Sequence, residues 1–521
     1  MKLINKIYTI ATSLALIFTS CTDDFDNLNT NSNTLTADQL DATLAGPSFA
    51  SALYAGIHNG SYSSPGVDDQ GTWGIATGII SSQFVHYMNT GYGTDRNAFS
   101  GFEARGWLRF YTVAVPALNN AIIASEGDEN ALAVLKIWKV FMYNQMTDHY
   151  GPIPYTEAGN GEENVIYDSQ EDIYEDFFNL LEEAETTLSA ASESTVGLFQ
   201  ISDRVFYGDI DKWKRFGNSL RLRLALRISD VQPSKAQTEA ETAVANGVME
   251  SNDQSAYFAV SNITPNNLNM IVNSWGYYMS ASMESILKGY NDPRMSIWFS
   301  ETEDEVFRGQ PAGGLQDQFG TTEFSSFNND VLGNDYQETK NIEIMMASES
   351  YFNRAEGVLN GWNMNGDAQT LYETGVQLSL NQWNITDSSV ITDYLAGTST
   401  GAQPEILNTY PDLDLATPPV DVPVAWSSNV AEQRKQIAVQ KYLGLFPESW
   451  ETWADLRRSD ASIIYPLLYT DNNDEGVGTS LMKRVIYVSN EYSSNGVAVE
   501  DAIVKLGGPD TGGTKLWWDI N

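Results

Sequence analysis

The stretch SESYFNRAEGVLNGWNMNGDAQTLYETGVQLSL (348–380) constrains the fold more than any other part of the chain. Phe352, Ala355 and Leu359 recur at helical spacing and line one face. Gly361 stops that helix and Asp367 caps the next, which carries Ala368, Leu371, Tyr372 and Gly375. So short a turn makes the two helices antiparallel neighbours, with small residues where they touch.

The pair is close in length to the 34-residue tetratricopeptide unit. Other segments read the same way. Ser169 with Asp172 has capping-box spacing, and Ile173, Phe177, Leu180, Leu181, Ala184 and Leu188 follow as one stripe. Thr36 with Gln39 has the same spacing ahead of Leu40, Leu44 and Leu53. Two helices are expected at about 103–125 and 129–147, another near 79–88, and more at 430–446 and after Pro447. In GDIDKWKRFGNSLRLRLALRIS (208–229) Leu220, Leu222, Leu224 and Leu226 alternate as in a strand. Leu, Arg and Ala are good helix formers and β-branched residues are nearly absent, so helix is the expectation, ending before Pro233. Residues 60–100, 250–340 and 385–425 read as long loops rich in Gly, Asn and Ser, and the tail as irregular with a short strand near 485–488. The predicted fold class is mainly α: a tetratricopeptide-like helix-pair scaffold with a loop-rich, aromatic-bearing remainder, in a single domain over 35–521.

The first residues, MKLINKIYTIATSLALIFTSC, give the address. Lys2 and Lys6 precede an apolar run from Ile7 to Phe18, shorter than the roughly 20 residues that span a bilayer. Thr19 and Ser20 suit a signal peptidase, and Cys21 follows. It is the only cysteine in 521 residues, so it has no disulfide partner. The reading is a signal peptide over 1–20, lipidation at Cys21, and a polar tether over 21–34. Two or three acyl chains hold a protein on a membrane far more firmly than one.

Removing residues 1–20 leaves 27 basic side chains against 68 acidic, a net charge of −41. Such a surface repels nucleic acid and anionic head groups. Hydrophobic residues at 42% are too many for a disordered acidic chain, so a large core is expected. The catalytic motifs are thin. His58, His86 and His149 have no metal-ligand spacing. Gly397-Thr398-Ser399-Thr400-Gly401 matches a nucleophile elbow in letters but lacks the strand before it. Asp471 to Gly476 begins like a calcium loop, yet its twelfth position is Met482 in place of Glu. No catalytic residue, cofactor or metal is expected.

Aromatic residues in polar loops stand out instead. Trp138, Trp213, Trp450 and Trp453 belong in helices and the core, with Arg457 against the last two. Trp73, Tyr92, Trp275, Tyr277 and Tyr278 lie in segments rich in Gly, Asn and Ser. An aromatic face covers the C–H face of a sugar ring while Asn, Asp, Gln and Arg satisfy its hydroxyls, so these five are the candidate ligand-binding residues.

Several motifs together resemble the SusD/RagB family of nutrient-binding outer-membrane lipoproteins. They are CTDDFDNLNTNSN after the signal, YGPIPYTEA, WKRFGNSLRLRLALRIS, DPRM (292–295), YFNRAEGVLNG, QKYLGLFPESWETWADLRRS, RVIYVSNEY and LWWD, in the family's order over nearly the whole mature chain. The resemblance implies a surface-exposed lipid anchor on the outer membrane and a SusC-like TonB-dependent barrel transporter as partner. It also implies capture of oligosaccharides, or in some members peptides, without catalysis. A surface glycoside hydrolase is the alternative from another class. The family's ligand residues lie in variable loops, so none carries over by position.

Overall fold

The computed structural model describes residues 39–57, 80–90, 103–162, 164–266, 268, 276–314, 318–328, 340–470 and 472–520. Helix α1 (Ala42–Gly56) is capped by Asp41, whose carboxylate accepts from Thr43 N at 2.9 Å. The cap expected at Thr36 lies outside the described residues, and the helix starts later than its spacing suggested. A short helix α2 (Ile80–Phe84) leads into strand β1 (Met88–Thr90). Helix α3 (Glu103–Arg109) continues through a π turn, Phe110–Ala114, into α4 (Val115–Ala124). The long helix α5 (Glu129–Tyr150) starts at the Asp128 cap and ends at Gly151, whose φ of 88° closes to glycine's competitors the conformation it adopts. Ser169 caps α6 (Gln170–Ser189), accepting from Asp172 N at 3.1 Å as its spacing predicts.

The ambiguous 208–229 segment is helix α7 (Ile210–Arg227), capped by Asp209. Its alternation has a physical reason other than a strand. The leucines and Arg221, Arg223 and Arg227 are all buried, because this helix is packed on every side. Arg223 makes a bidentate pair with Glu349 at 2.7 and 2.6 Å, and Arg227 reaches Asp148 at 3.1 Å and Glu451 at 2.5 Å. Pro233 opens the next helix, α8 (Pro233–Asn246), where the absent N–H of its first turn costs nothing. Strands β2 (Ala256–Phe258) and β3 (Tyr277–Met279), helices α9 (Ala281–Gly289) and α10 (Met295–Trp298), and strand β4 (Ile342–Met345) follow in the loop-rich part.

The 348–380 stretch is the predicted pair, α11 (Ala347–Leu359) and α12 (Ala368–Gln382), with Asp367 accepting from Thr370 N. Helix α13 (Ser388–Leu395) lies inside the segment read as loop. Then come α14 (Val430–Leu445) and α15 (Ser449–Ser459). Helices α5 and α6, α7 and α8, and α11 and α12 pack as successive pairs, and α11 also lies against α7 and α14. A Cβ on Gly375 would sit 2.8 Å from the Phe352 ring and one on Gly444 3.0 Å from its other edge, so one ring is slotted between α12 and α14.

No strand forms at 485–488; that segment runs extended beside the end of α5, with Val485 N donating to His149 O at 2.8 Å. Two helices follow that the sequence reading left irregular, α16 (Ser489–Ser494) and α17 (Gly496–Leu506). The β-branched Val497, Val499, Ile503 and Val504 mask helical preference there, and burial of Val499, Ala502 and Leu506 on one face specifies it. Trp138, Trp213, Trp450 and Trp453 are all core residues, and the Arg457 guanidinium lies 4.0 Å over the Trp453 ring. No helix among the described residues is long and apolar enough to cross a membrane.

Candidate functional site

A two-stranded ribbon organises the aromatic loops. Strands β1 and β3 run antiparallel in the register Met88 to Met279, Asn89 to Tyr278 and Thr90 to Tyr277. Thr90 and Tyr277, paired with each other, stand at one end of this ribbon. Trp73, Tyr92 and Trp275 themselves lie outside the described residues.

Side chains alternate along a strand, and the register separates the two remaining candidates. Tyr277 turns inward. It is 5% exposed, and its hydroxyl accepts from Gln83 Nε2 at 2.8 Å. Its ring is part of the main core, which corrects the expectation that it faces a ligand. Tyr278 turns the other way, half-buried, onto a satellite cluster separate from the main core. The cluster is built on Phe319, Phe324, Ile406, Leu415 and Tyr465, with Tyr410 and Leu413 half-buried at its edge. Tyr278 and Phe324 stand 6.1 Å apart, Phe319 and Phe324 5.7 Å, and Phe319 and Tyr410 5.5 Å, the last two edge to face. Tyr410 donates its hydroxyl to Phe319 O at 3.0 Å, which locks two loops together. Phe319, Phe324 and Tyr410 escaped the sequence reading. Their loops, QFGTTEF and LNTYPDL, carry the same polar-with-aromatic signal, but without Trp.

Helix α9 leads from this shelf to a cleft of about 820 Å³. Leu287, Met295, Phe307 and Val390 give it apolar lining, and Glu301, Glu305, Asp393 and Glu405 line it too, with Lys288 bonded to Glu405 at 3.1 Å. Its floor is rigid. Arg294 forks onto Asp292 at 2.9 and 2.6 Å, and Tyr394 donates to the same carboxylate at 2.6 Å. That network is the physical content of the DPRM motif: a buried charge pair beneath a concave surface.

His86 is buried with Nδ1 3.1 Å from Ser282 Oγ, and His149 Nδ1 sits 2.8 Å from Gln145 O beneath Trp453. Gly397 follows helix α13, so no strand-to-helix elbow forms at 397–401. Among the described residues no group of His, Cys, Asp and Glu is placed to hold a metal ion; Asp471 lies outside them.

The family model described as SusD-like, SusD and RagB outer membrane lipoprotein, matches residues 27–519. Among solved structures, a chitin-binding SusD homologue from Flavobacterium johnsoniae is 31% identical. It aligns over 92% of this chain and 99% of its own with a TM-score of 0.82. A SusD-like protein from Bacteroides thetaiotaomicron is 27% identical over 92% and 99%, with a TM-score of 0.80. A SusD homologue from Bacteroides vulgatus is 26% identical over 91% and 98%, with a TM-score of 0.81. Among curated proteins none matches.

Proposed function

The chain belongs to the SusD-like family of outer-membrane lipoproteins, and from that premise we propose that it is a cell-surface glycan-binding protein. It captures oligosaccharides and delivers them to a TonB-dependent barrel transporter. Lipid on Cys21 holds it at the outer membrane. The observation that carries the reading is the aromatic cluster around Tyr278, with Tyr278 and Tyr410 half-buried at its edge, beside a roomy cleft. Aromatic rings with flanking carboxylates and amides suit a neutral, hydroxyl-rich ligand, and a net charge of −41 does not oppose one. Two similar solved structures are described as chitin-binding, so oligomers of N-acetylglucosamine are the first ligands to try.

The protein acts by holding and handing over, without bond cleavage. The paired helices offer a broad rigid face for the barrel, while the loops carry the ligand on the ribbon side. The test is a titration of the mature protein with N-acetylglucosamine oligomers, read by tryptophan fluorescence. Tyr278→Ala and Trp275→Ala are each expected to weaken binding by about 1–3 kcal/mol, the scale of one lost aromatic contact, with no change in melting temperature. Binding of peptides and of no glycan would replace the sugar with a peptide ligand. Product release from a bound oligosaccharide would make the protein a hydrolase.

A further inference from the structure

Two loop segments clasp helix α9, one at each end. At its start, Ala281 N donates to Gln310 O at 2.8 Å, and any Cβ on Gly309 would collide with Ser280 O. At its far end, Ala402 N donates to Ser285 O at 2.9 Å, and a Cβ on Gly289 would collide with Thr400 O. Between the two clasps stands Glu284, 0% exposed. One carboxylate oxygen accepts from Gly309 N at 2.7 Å and the other from Glu405 N at 2.6 Å. The segments so held both line the cleft: Glu301, Glu305 and Phe307 from one, Gly397, Ser399 and Glu405 from the other.

We propose that Glu284 is the positioning residue of this cleft: its carboxylate sets the separation of the two segments, and glycan capture weakens when it takes up a proton. This rests on the reading that the cleft receives the glycan. An ionised carboxylate can accept from both backbone N–H groups with charge-assisted strength. The neutral acid keeps one good acceptor, and its other oxygen must donate.

The groups that act on it are few. Lys288 Nζ lies 3.6 Å away and favours the ionised form. The Glu405 carboxylate opposes ionisation but is itself bonded to Lys288 at 3.1 Å and influenced by Arg308, and the Tyr465 hydroxyl also feels Glu284. Burial outweighs the rest and pushes Glu284 up to about 7. The signs then separate. A folded-state value above the ordinary one means the folded chain binds the proton more tightly. The stability this group contributes is therefore greatest below its ordinary value and declines as pH rises toward 7. The contacts to the two segments go the other way and are complete only above 7.

Affinity of the mature protein for an N-acetylglucosamine oligomer, measured at pH 8 and pH 6, tests the assignment. Wild type is expected to bind about tenfold more weakly at the lower pH, as the ionised fraction falls by about that factor. Glu284→Gln should show the weaker affinity at both, with the melting temperature held. Glu284→Asp, one methylene short, should lose affinity yet keep a pH dependence. Amide hydrogen exchange without sugar should quicken at 301–309 and 398–405 in Glu284→Gln. A flat wild-type pH profile, or a Glu284→Gln variant that keeps the pH 8 affinity, overturns the proposal. If wild type binds no glycan at either pH, the sugar reading fails. Amide exchange then still decides whether Glu284 holds the two segments, and unchanged exchange overturns that too.

Discussion

Asp148 carries more of the core than its size suggests. Its carboxylate accepts from Tyr174 at 2.6 Å, Trp518 Nε1 and Asn144 Nδ2 at 2.9 Å, and Arg227 Nε at 3.1 Å, while its backbone carbonyl takes Arg457. Five segments meet on one residue that is 2% exposed. Asp148→Ala leaves a buried guanidinium short of a counter-charge and the Tyr174 and Trp518 donors without their acceptor, a loss of about 3–5 kcal/mol. Urea denaturation of the variant should show it as a lower midpoint at unchanged slope. Contacts of this kind are illegible in sequence, because Asp148 and Trp518 are 370 positions apart. Local ones are legible: Ser169 with Asp172, and Asp367 with Thr370, each act within one helical turn. Tyr277 and Tyr278 show where the boundary falls. They are adjacent and alike, and only a strand's alternation, fixed by a partner strand far away in sequence, sends one inward and the other toward the shelf.

At the level of elements, the helix pairs were readable because period and capping agree over many residues. The pair α11 and α12 kept its predicted turn, cap and touching face. Gly375 is the critical point of that face. A side chain there meets the Phe352 ring, which Gly444 already holds from the other side. Gly375→Val is expected to cost about 1–3 kcal/mol by overpacking, although valine outranks glycine in helix propensity. A thermal melt with intact helical circular dichroism at low temperature checks it. Helix α8 was not read at all, and α9, α10, α13, α16 and α17 were missed since they are short or rich in β-branched residues, and neighbours rather than propensity specify them. For the site, the loops were legible as aromatic and polar. Which rings share a shelf was not, because Tyr278, Phe324 and Tyr410 come together only through the ribbon and the α9 clasps.

Across the whole molecule, the last residues return to the middle of the fold. Trp517 N donates to Gln170 Oε1 at 3.1 Å, the Trp518 indole reaches Asp148, and Arg457 lies 5.0 Å over its ring. Arg484 donates to Tyr150 O at 3.0 Å, and Tyr487 to Pro152 O at 2.9 Å. Deleting residues 515–521 should therefore lower the melting temperature by more than the small surface lost, and limited proteolysis should open the α5 end first. The Trp518 contact also sets an order of events. A polypeptide still emerging from the ribosome lacks the piece that shuts its own centre. The centre around Asp148 stays open until residue 518 has arrived, and chains stopped before residue 515 should be degraded rather than accumulate.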